Sequence, residues 1–275
     1  MSKASLLERL LAYRIDIYIL TFLLFLITPQ PGDDLGPRMY LLASCFTALM
    51  AFVYLFNKTT DTREDAINTA AGPIAISSIP IVRAIAWGVC ALGFVVLISL
   101  TGNYLYSVLY AFVAVLGFAY SSPLKMLGAT RRLKQIPVVK TVVSTLIWIL
   151  PPVLSYMIYL GEVRPREVWL LVLLGGLFAA MEICWDIRDM RGDAQSGVRT
   201  IPTVFGLSAA QGVAFALVLI ATYAGYVLSL NMFSTIGILA SLAGIVMVHD
   251  KRPWWYFHAM AFVWIILLVS YVLVR

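Results

Sequence analysis

The chain has 275 residues, 61% hydrophobic and 12% charged, with a formal net charge of +6 and a mean hydropathy of +0.91. A water-soluble domain carries about twice that share of charged residues, so a soluble fold is excluded. The basic residues lie between apolar segments instead of on one module, which excludes a nucleic-acid partner and points to a membrane topology.

A helix of about 20 apolar residues crosses roughly 30 Å of hydrocarbon. Runs of that kind are read at 10–29, 38–56, 83–101, 104–120, 137–160, 167–185, 207–229, 231–248 and 255–274. The alternating segments of a membrane-spanning β-barrel are absent from the sequence. The expected fold is therefore all-α: one polytopic domain over 1–275, with about nine transmembrane helices around a central cavity. No small-residue cleavage site follows the first run, so it is read as a span, with Ser2–Leu11 as an amphipathic lead-in. Cys45, Cys90 and Cys184 fall in apolar runs without close spacing and are expected to be buried thiols.

Charge orients the bundle. With the N-terminus cytoplasmic, only Arg38, Arg164, Arg166 and Arg275 of the twenty Lys and Arg fall on the far side. That asymmetry supports the helix count by parity. It also predicts a multi-pass protein with its polar loops in the cytoplasm; a bacterial or archaeal plasma membrane is expected ahead of an organelle.

Two of those loops are acidic. After the second run, Asn57, Asp61 and Asp65 recur at i, i+4 and i+8 and share one face if the helix continues. Lys58, one residue along, is turned about 100° from that face. After the sixth run, Asp186, Asp189 and Asp193 recur at i, i+3 and i+7, next to Arg188 and Arg191. Like charges at helical spacing repel, so both faces call for a cation. Oxygen ligands with no His or Cys beside them point to Mg²⁺, which bridges carboxylates to substrate phosphates. The same device in each half suggests two related halves, about 1–136 and 137–275.

Between the fourth and fifth runs lies Tyr120-Ser121-Ser122-Pro123-Leu124-Lys125, followed by Arg131, Arg132, Lys134 and Lys140. Cations here can balance a departing diphosphate. Lys125, directly after the Pro turn, is the first candidate; Arg131 and Arg132 are read as topology signals.

With these residues in view, the chain resembles the UbiA superfamily of intramembrane prenyltransferases over nearly its whole length. Asn57, Asp61 and Asp65 are similar to that family's first motif, and Asp189 and Asp193, extended by Asp186, to its second. Tyr120 and Lys125 look like its Tyr/Lys element. The run Gly197-Val198-Arg199-Thr200-Ile201-Pro202 is similar to the segment that trails the second motif. The chain departs from the common pattern in having Lys58 after the motif Asn, in Gly72 before Pro73-Ile74, and in a Tyr-to-Lys spacing one residue longer.

The resemblance implies Mg²⁺-dependent transfer of a prenyl group from an isoprenoid diphosphate donor to a lipophilic acceptor, aromatic or lipid, within the bilayer. Asp61, Asp65, Asp189, Asp193, Lys125 and Tyr120 are the expected catalytic residues. Asn57, Lys125, Tyr120, Arg188 and Arg199 would bind substrate; Asn57 and the five aspartates, Asp186 included, would hold the metal. Tyr54, Tyr120, Trp148 and Tyr156 are aromatics that could face an allylic cation. Trp254, Trp255 and Tyr256 are read as an interfacial belt, and His249 and His258 as structural. The rivals are a membrane terpene cyclase using the same donor and a cation-coupled transporter. The soluble prenyl-chain synthases fail on composition.

Overall fold

The computed structural model describes residues 15–29, 36–62, 79–123, 128, 131–228 and 232–252, with 256, 257, 259, 260 and 263. Among them, all regular structure is helical, with no strand. In chain order the helices are α1 (Ile15–Ile27), α2 (Gly36–Thr60), α3 (Ile79–Thr101), α4 (Tyr104–Ser121), α5 (Val139–Leu160), α6 (Pro165–Ser196), α7 (Ile201–Phe205), α8 (Leu207–Val227) and α9 (Met232–Met247). A 3₁₀ turn at Leu133–Gln135 precedes α5. Six of these, α2 to α6 and α8, are long and apolar enough to cross a membrane, and α1 is a shorter apolar helix.

The elements follow the apolar runs closely. The ninth run, 255–274, lies almost wholly outside the described residues, as do Trp254, Trp255 and His258. Within α9's turn to the last run, Tyr256 donates its hydroxyl to the Gly244 carbonyl and packs under Arg252. The sixth run continues as helix to Ser196, so the second acidic segment rides on the last turns of α6, the helix end that its spacing predicts. The short α7 was not expected, although Thr200 caps it and Pro202 sits in its first turn.

Helix ends are fixed by recognisable chemistry. Asn103 turns α3 into α4 and accepts from the Leu105 amide. Gly161, left-handed at φ 73°, ends α5, and Pro165 opens α6. At the other end of α6, the Val198 amide donates to Asp193 O at 2.9 Å and the Gly197 amide to Ala194 O at 3.4 Å, with Gly197 left-handed. This paired closure satisfies the last carbonyls of α6 and fixes the residues around Asp193.

The core is a stack of closely approaching helices. α2 packs on α1, α3 and α4, while α6 packs on α5 and α8. Without a hydrophobic drive between spans in lipid, packing rests on small residues. α8 accordingly buries Ala210, Ala214, Val218, Ala221 and Ala224 along one stripe. Their neighbour on α6 is Gly176, where a β-carbon would stand 2.6 Å from Leu217 O. The outward faces of α3, α4 and α8 carry exposed Ile, Leu, Val and Phe, as a lipid-facing surface requires. All three cysteines are buried free thiols, as read from the sequence.

Candidate active site

One end of the bundle gathers the polar residues. There α2 ends, α4 ends, α5 begins and the last turns of α6 emerge. A cavity of about 170 Å³ opens among them, lined by Asn57, Lys58, Asp61, Tyr120, Lys134, Lys140, Asp186, Arg188, Asp189 and Asp193 on its polar side. Its remaining wall is apolar: Ile17, Leu20, Val53, Tyr54, Ile147, Trp148, Met181, Trp185 and Val198, with Ser144, Glu182 and Asp16 among them.

The first acidic segment is set by the end of α2. Asp61 still closes a helical bond, its amide donating to Asn57 O at 3.0 Å, so Asn57 and Asp61 stay one turn apart on one face. Arg83 of α3 caps the helix end, with Nε donating to Thr59 Oγ1 and Nη2 to Thr59 O at 3.1 and 3.3 Å. A cation there complements the helix dipole. Asn57 Oδ1 accepts from Ser121 Oγ at 2.8 Å, tying α2 to the end of α4. Asp65 lies outside the described residues, as does Lys125.

The second segment is a helical face. Asp186, Asp189 and Asp193 all line the cavity from α6, as the i, i+3, i+7 spacing requires. Glu182, one turn earlier, extends the same face.

Each of the four described motif aspartates meets a basic side chain. Lys134, buried in the 3₁₀ turn, donates to Asp61, and Arg132 Nη1 reaches the same Oδ1 at 3.3 Å. Lys140, in the first turn of α5, bridges Asp186 Oδ1 at 2.6 Å and Asp193 Oδ2 at 3.2 Å. Arg188 pairs with Asp189 through Nε at 2.6 Å and Nη2 at 2.5 Å, and its guanidinium lies 4.3 Å from the centre of the Trp185 ring. The approach to Lys140 is conformationally unusual. Val138 has φ 65° and ψ −45°, and the Val139 amide donates to Pro137 O at 2.7 Å. A β-branched residue in such a γ-turn is strained, and strain of this kind concentrates at functional sites.

Of the residues singled out from sequence, Asn57, Asp61, Tyr120, Asp186, Arg188, Asp189 and Asp193 meet in this cavity. Lys58 lines it too, despite its rotation along α2. Arg199 does not: it is exposed just beyond the end of α6. Tyr54 and Trp148 face the cavity, whereas Tyr156 stacks on Tyr159 outside it. Lys134 and Lys140, two of the cations that the sequence places near a diphosphate, line the cavity as well, and so do Asp16 and Glu182, which no motif includes. Asp16 is a carboxylate inside an apolar run, which is itself a functional signal; Glu182 continues the α6 spacing.

The donor set suits a hard divalent ion. It is made of carboxylate and amide oxygens, and Asp186 Oδ2 is buried without a hydrogen-bond partner among the described residues. Among those residues no three acids form a closed metal cage. Mg²⁺ commonly completes its shell with water and substrate phosphates instead.

The sequence matches the UbiA prenyltransferase family over residues 17–275. The chain belongs to that family. It is accordingly a prenyltransferase, and with its six long apolar helices a multi-pass integral membrane protein. No curated protein matches it in sequence. Its fold is similar to that of an apo UbiA homolog from Aeropyrum pernix K1, with TM-score 0.69, 16% identity, and 95% of this chain and 98% of that one covered. A UbiA homolog from Archaeoglobus fulgidus, solved with DMAPP and Mg²⁺, is similar at TM-score 0.65 and 16% identity, covering 97% and 99%. A digeranylgeranylglyceryl phosphate synthase is similar at TM-score 0.62 and 17% identity, covering 97% and 98%.

Proposed function

We propose that this prenyltransferase binds a prenyl diphosphate with Mg²⁺ at the acidic end of the cavity and transfers the prenyl group to a lipophilic acceptor, aromatic or lipid, in the membrane. The observation that carries the reading is the meeting of two acidic helix ends, α2 and α6, in one cavity whose other wall is apolar. The Archaeoglobus homologs solved with DMAPP and with GPP, each with Mg²⁺, support it.

In this proposal Asn57, Asp61, Asp186, Asp189 and Asp193 hold the metal, with Asp65 joining them from its place in the sequence. A bound Mg²⁺ supplies positive charge that stabilises the diphosphate as the allylic C–O bond breaks and its electron pair leaves with the phosphate. The basic side chains Lys134, Lys140 and Arg188 add donors to the leaving oxygens, with Lys125 assigned the same task. Tyr54, Tyr120 and Trp148 line the side on which the carbocation forms, where an aromatic face is worth about 0.5–2 kcal/mol to a cation. The apolar wall keeps water from the cation until the acceptor's nucleophile takes it.

The test is direct. Purified protein in lipid is given a prenyl diphosphate and a lipid and quinone extract, and products are read by mass spectrometry. A prenylated acceptor is expected; a cyclic hydrocarbon formed without acceptor replaces transfer with cyclisation. Chelating divalent ions should abolish turnover, and Mg²⁺ should restore it. Full activity in excess chelator would remove the metal from the proposal.

We place the acidic end in the cytoplasm, following the charge asymmetry. The two ends are separated structurally: Arg166 of α6 donates to Thr28 O at the far end of α1, while Lys140 meets Asp193 at the acidic end. Single cysteines replacing Arg131 and Arg199, both exposed, are expected to react with an impermeant maleimide from the cytoplasm only. Cysteines replacing Arg38 and Glu162, also exposed, should react from outside only. Any crossover between the two pairs defeats the orientation.

A further inference from the structure

We propose that Lys140 and Lys134 occupy the acidic residues in place of a divalent ion, so that the ion and the diphosphate enter the site only together. The inference rests on the diphosphate reading above. It assigns these two lysines, which no sequence motif singled out, the task of positioning the carboxylates and of making metal binding depend on substrate.

The geometry is specific. Both lysines come from one short stretch before and at the start of α5, and each takes a different acidic segment. Lys134 holds Asp61 at the end of α2. Lys140 stands between Asp186 and Asp193 on successive turns of α6, at 2.6 and 3.2 Å, where it screens two carboxylates that would otherwise repel. Both side chains are largely buried, 5% exposed for Lys134 and 12% for Lys140, so each ammonium depends on the carboxylates more than on water for its partners. The strained turn at Val138 delivers Lys140 to that position.

A divalent ion entering alone must take carboxylate oxygens from an ammonium tethered beside them, at an effective concentration free salt does not match. It then leaves that ammonium next to a second cation in a poorly solvated cavity. A diphosphate changes both terms. Its oxygens accept from the displaced ammonium in charge-assisted hydrogen bonds, and it shares the ion with the carboxylates. Ion and diphosphate therefore favour one another, and by linkage each raises the other's affinity by the same factor.

Equilibrium dialysis of the full chain in detergent against Mn²⁺, with total Mn²⁺ and pyrophosphate measured on both sides so that their soluble complex cancels, tests this with inorganic pyrophosphate as the probe anion. In the wild type, pyrophosphate should tighten Mn²⁺ binding by about tenfold or more, and Mn²⁺ should tighten pyrophosphate binding equally. Lys140→Met should bind Mn²⁺ alone about tenfold more tightly than the wild type and lose most of that coupling. Lys134→Met should shift the same way through Asp61, and carries the test where Lys140→Met gives no monodisperse protein. A lysine that only braced the fold would do the opposite, since a loosened site holds metal less well. Wild-type protein that binds Mn²⁺ alone as tightly as with pyrophosphate overturns the inference. So do variants that bind Mn²⁺ less tightly while retaining pyrophosphate. If the wild type takes neither probe, alone or together, the diphosphate reading itself fails.

Discussion

Alanine at Asp193 is expected to lower prenyl transfer by about 10²–10³-fold or more, with the protein still folded. The size follows from what is removed: a charged ligand at the point where negative charge builds on the leaving diphosphate, in a cavity whose other wall is apolar. Retention of the fold follows from how the charges are shared. Lys140 keeps Asp186 at 2.6 Å when Asp193 is gone, so a buried ammonium is not stranded, and one like-charge repulsion on α6 disappears. Asp61 is a harder test. It receives Lys134, Arg132 and the Thr60 hydroxyl, so its loss disturbs a buried charge network, and breaking one of that kind costs about 3–5 kcal/mol. Asp61→Asn, which keeps the shape and one acceptor oxygen, separates loss of charge from loss of fold. Diphosphate release from a prenyl donor at saturating Mg²⁺ reads both variants against thermal unfolding. Near-normal release by folded Asp193→Ala protein would remove α6 from the donor site.

The parts of this arrangement legible in sequence are those governed by local periodicity. Hydropathy found α1 to α6, α8 and α9 because lipid rewards continuous apolar runs, and the i, i+3, i+7 spacing on α6 survived because the helix simply continues. Asn57 and Asp61 kept their shared face through one further helical bond. What sequence could not give was pairing across distance. Asp61 and Lys134 are 73 residues apart, and Lys140 and Asp193 are 53 apart. Of the basic residues of that stretch, Arg131 and Arg132 read as topology signals because the positive-inside rule alone accounts for them, and nothing in the sequence ranks Lys134 or Lys140 above Lys125. Burial sets the two lysines apart: a lysine kept for topology has no reason to be enclosed against aspartates. Asp16 was passed over for a related reason, since a single carboxylate in an apolar run shows no spacing. Only the fold of α1 against α2 and α5 brings it to the cavity. Arg199 is placed differently from its motif neighbours. Its place in a motif-like run suggested substrate contact, but the closure of α6 at Gly197 turns the chain so that Val198 faces the cavity and Arg199 faces out.

Gly176→Leu should be the most damaging single change away from the charged residues. The acids of α6 are positioned by that helix's seat against α8, and the seat exists because Gly176 has no side chain. A β-carbon there would lie 2.6 Å from the Leu217 carbonyl oxygen and 3.1 Å from Ala221 Cβ. The first of these is backbone, which cannot rotate aside, so the helices must separate. Alanine is expected to cost about 1–3 kcal/mol by overpacking, and leucine more, with loss of the folded protein from detergent extracts. Gly212 on α8 is the control: a β-carbon there meets nothing within 4 Å. Gly212→Ala should be neutral or stabilise by about 0.5–1 kcal/mol through helix propensity. Function should respond more steeply than stability in the alanine variant. Moving α6 by even part of an ångström shifts Asp186, Asp189 and Asp193 together relative to Asp61, and a misplacement of about 1 Å can cost 10²-fold in rate. The measurement is the melting temperature and diphosphate release of Gly176→Ala and Gly212→Ala side by side. Equal melting temperatures would show that α6 and α8 do not meet at Gly176. A Gly176→Ala protein that melts early yet turns over normally would mean that the acids are held by their lysines and not by the seat of the helix.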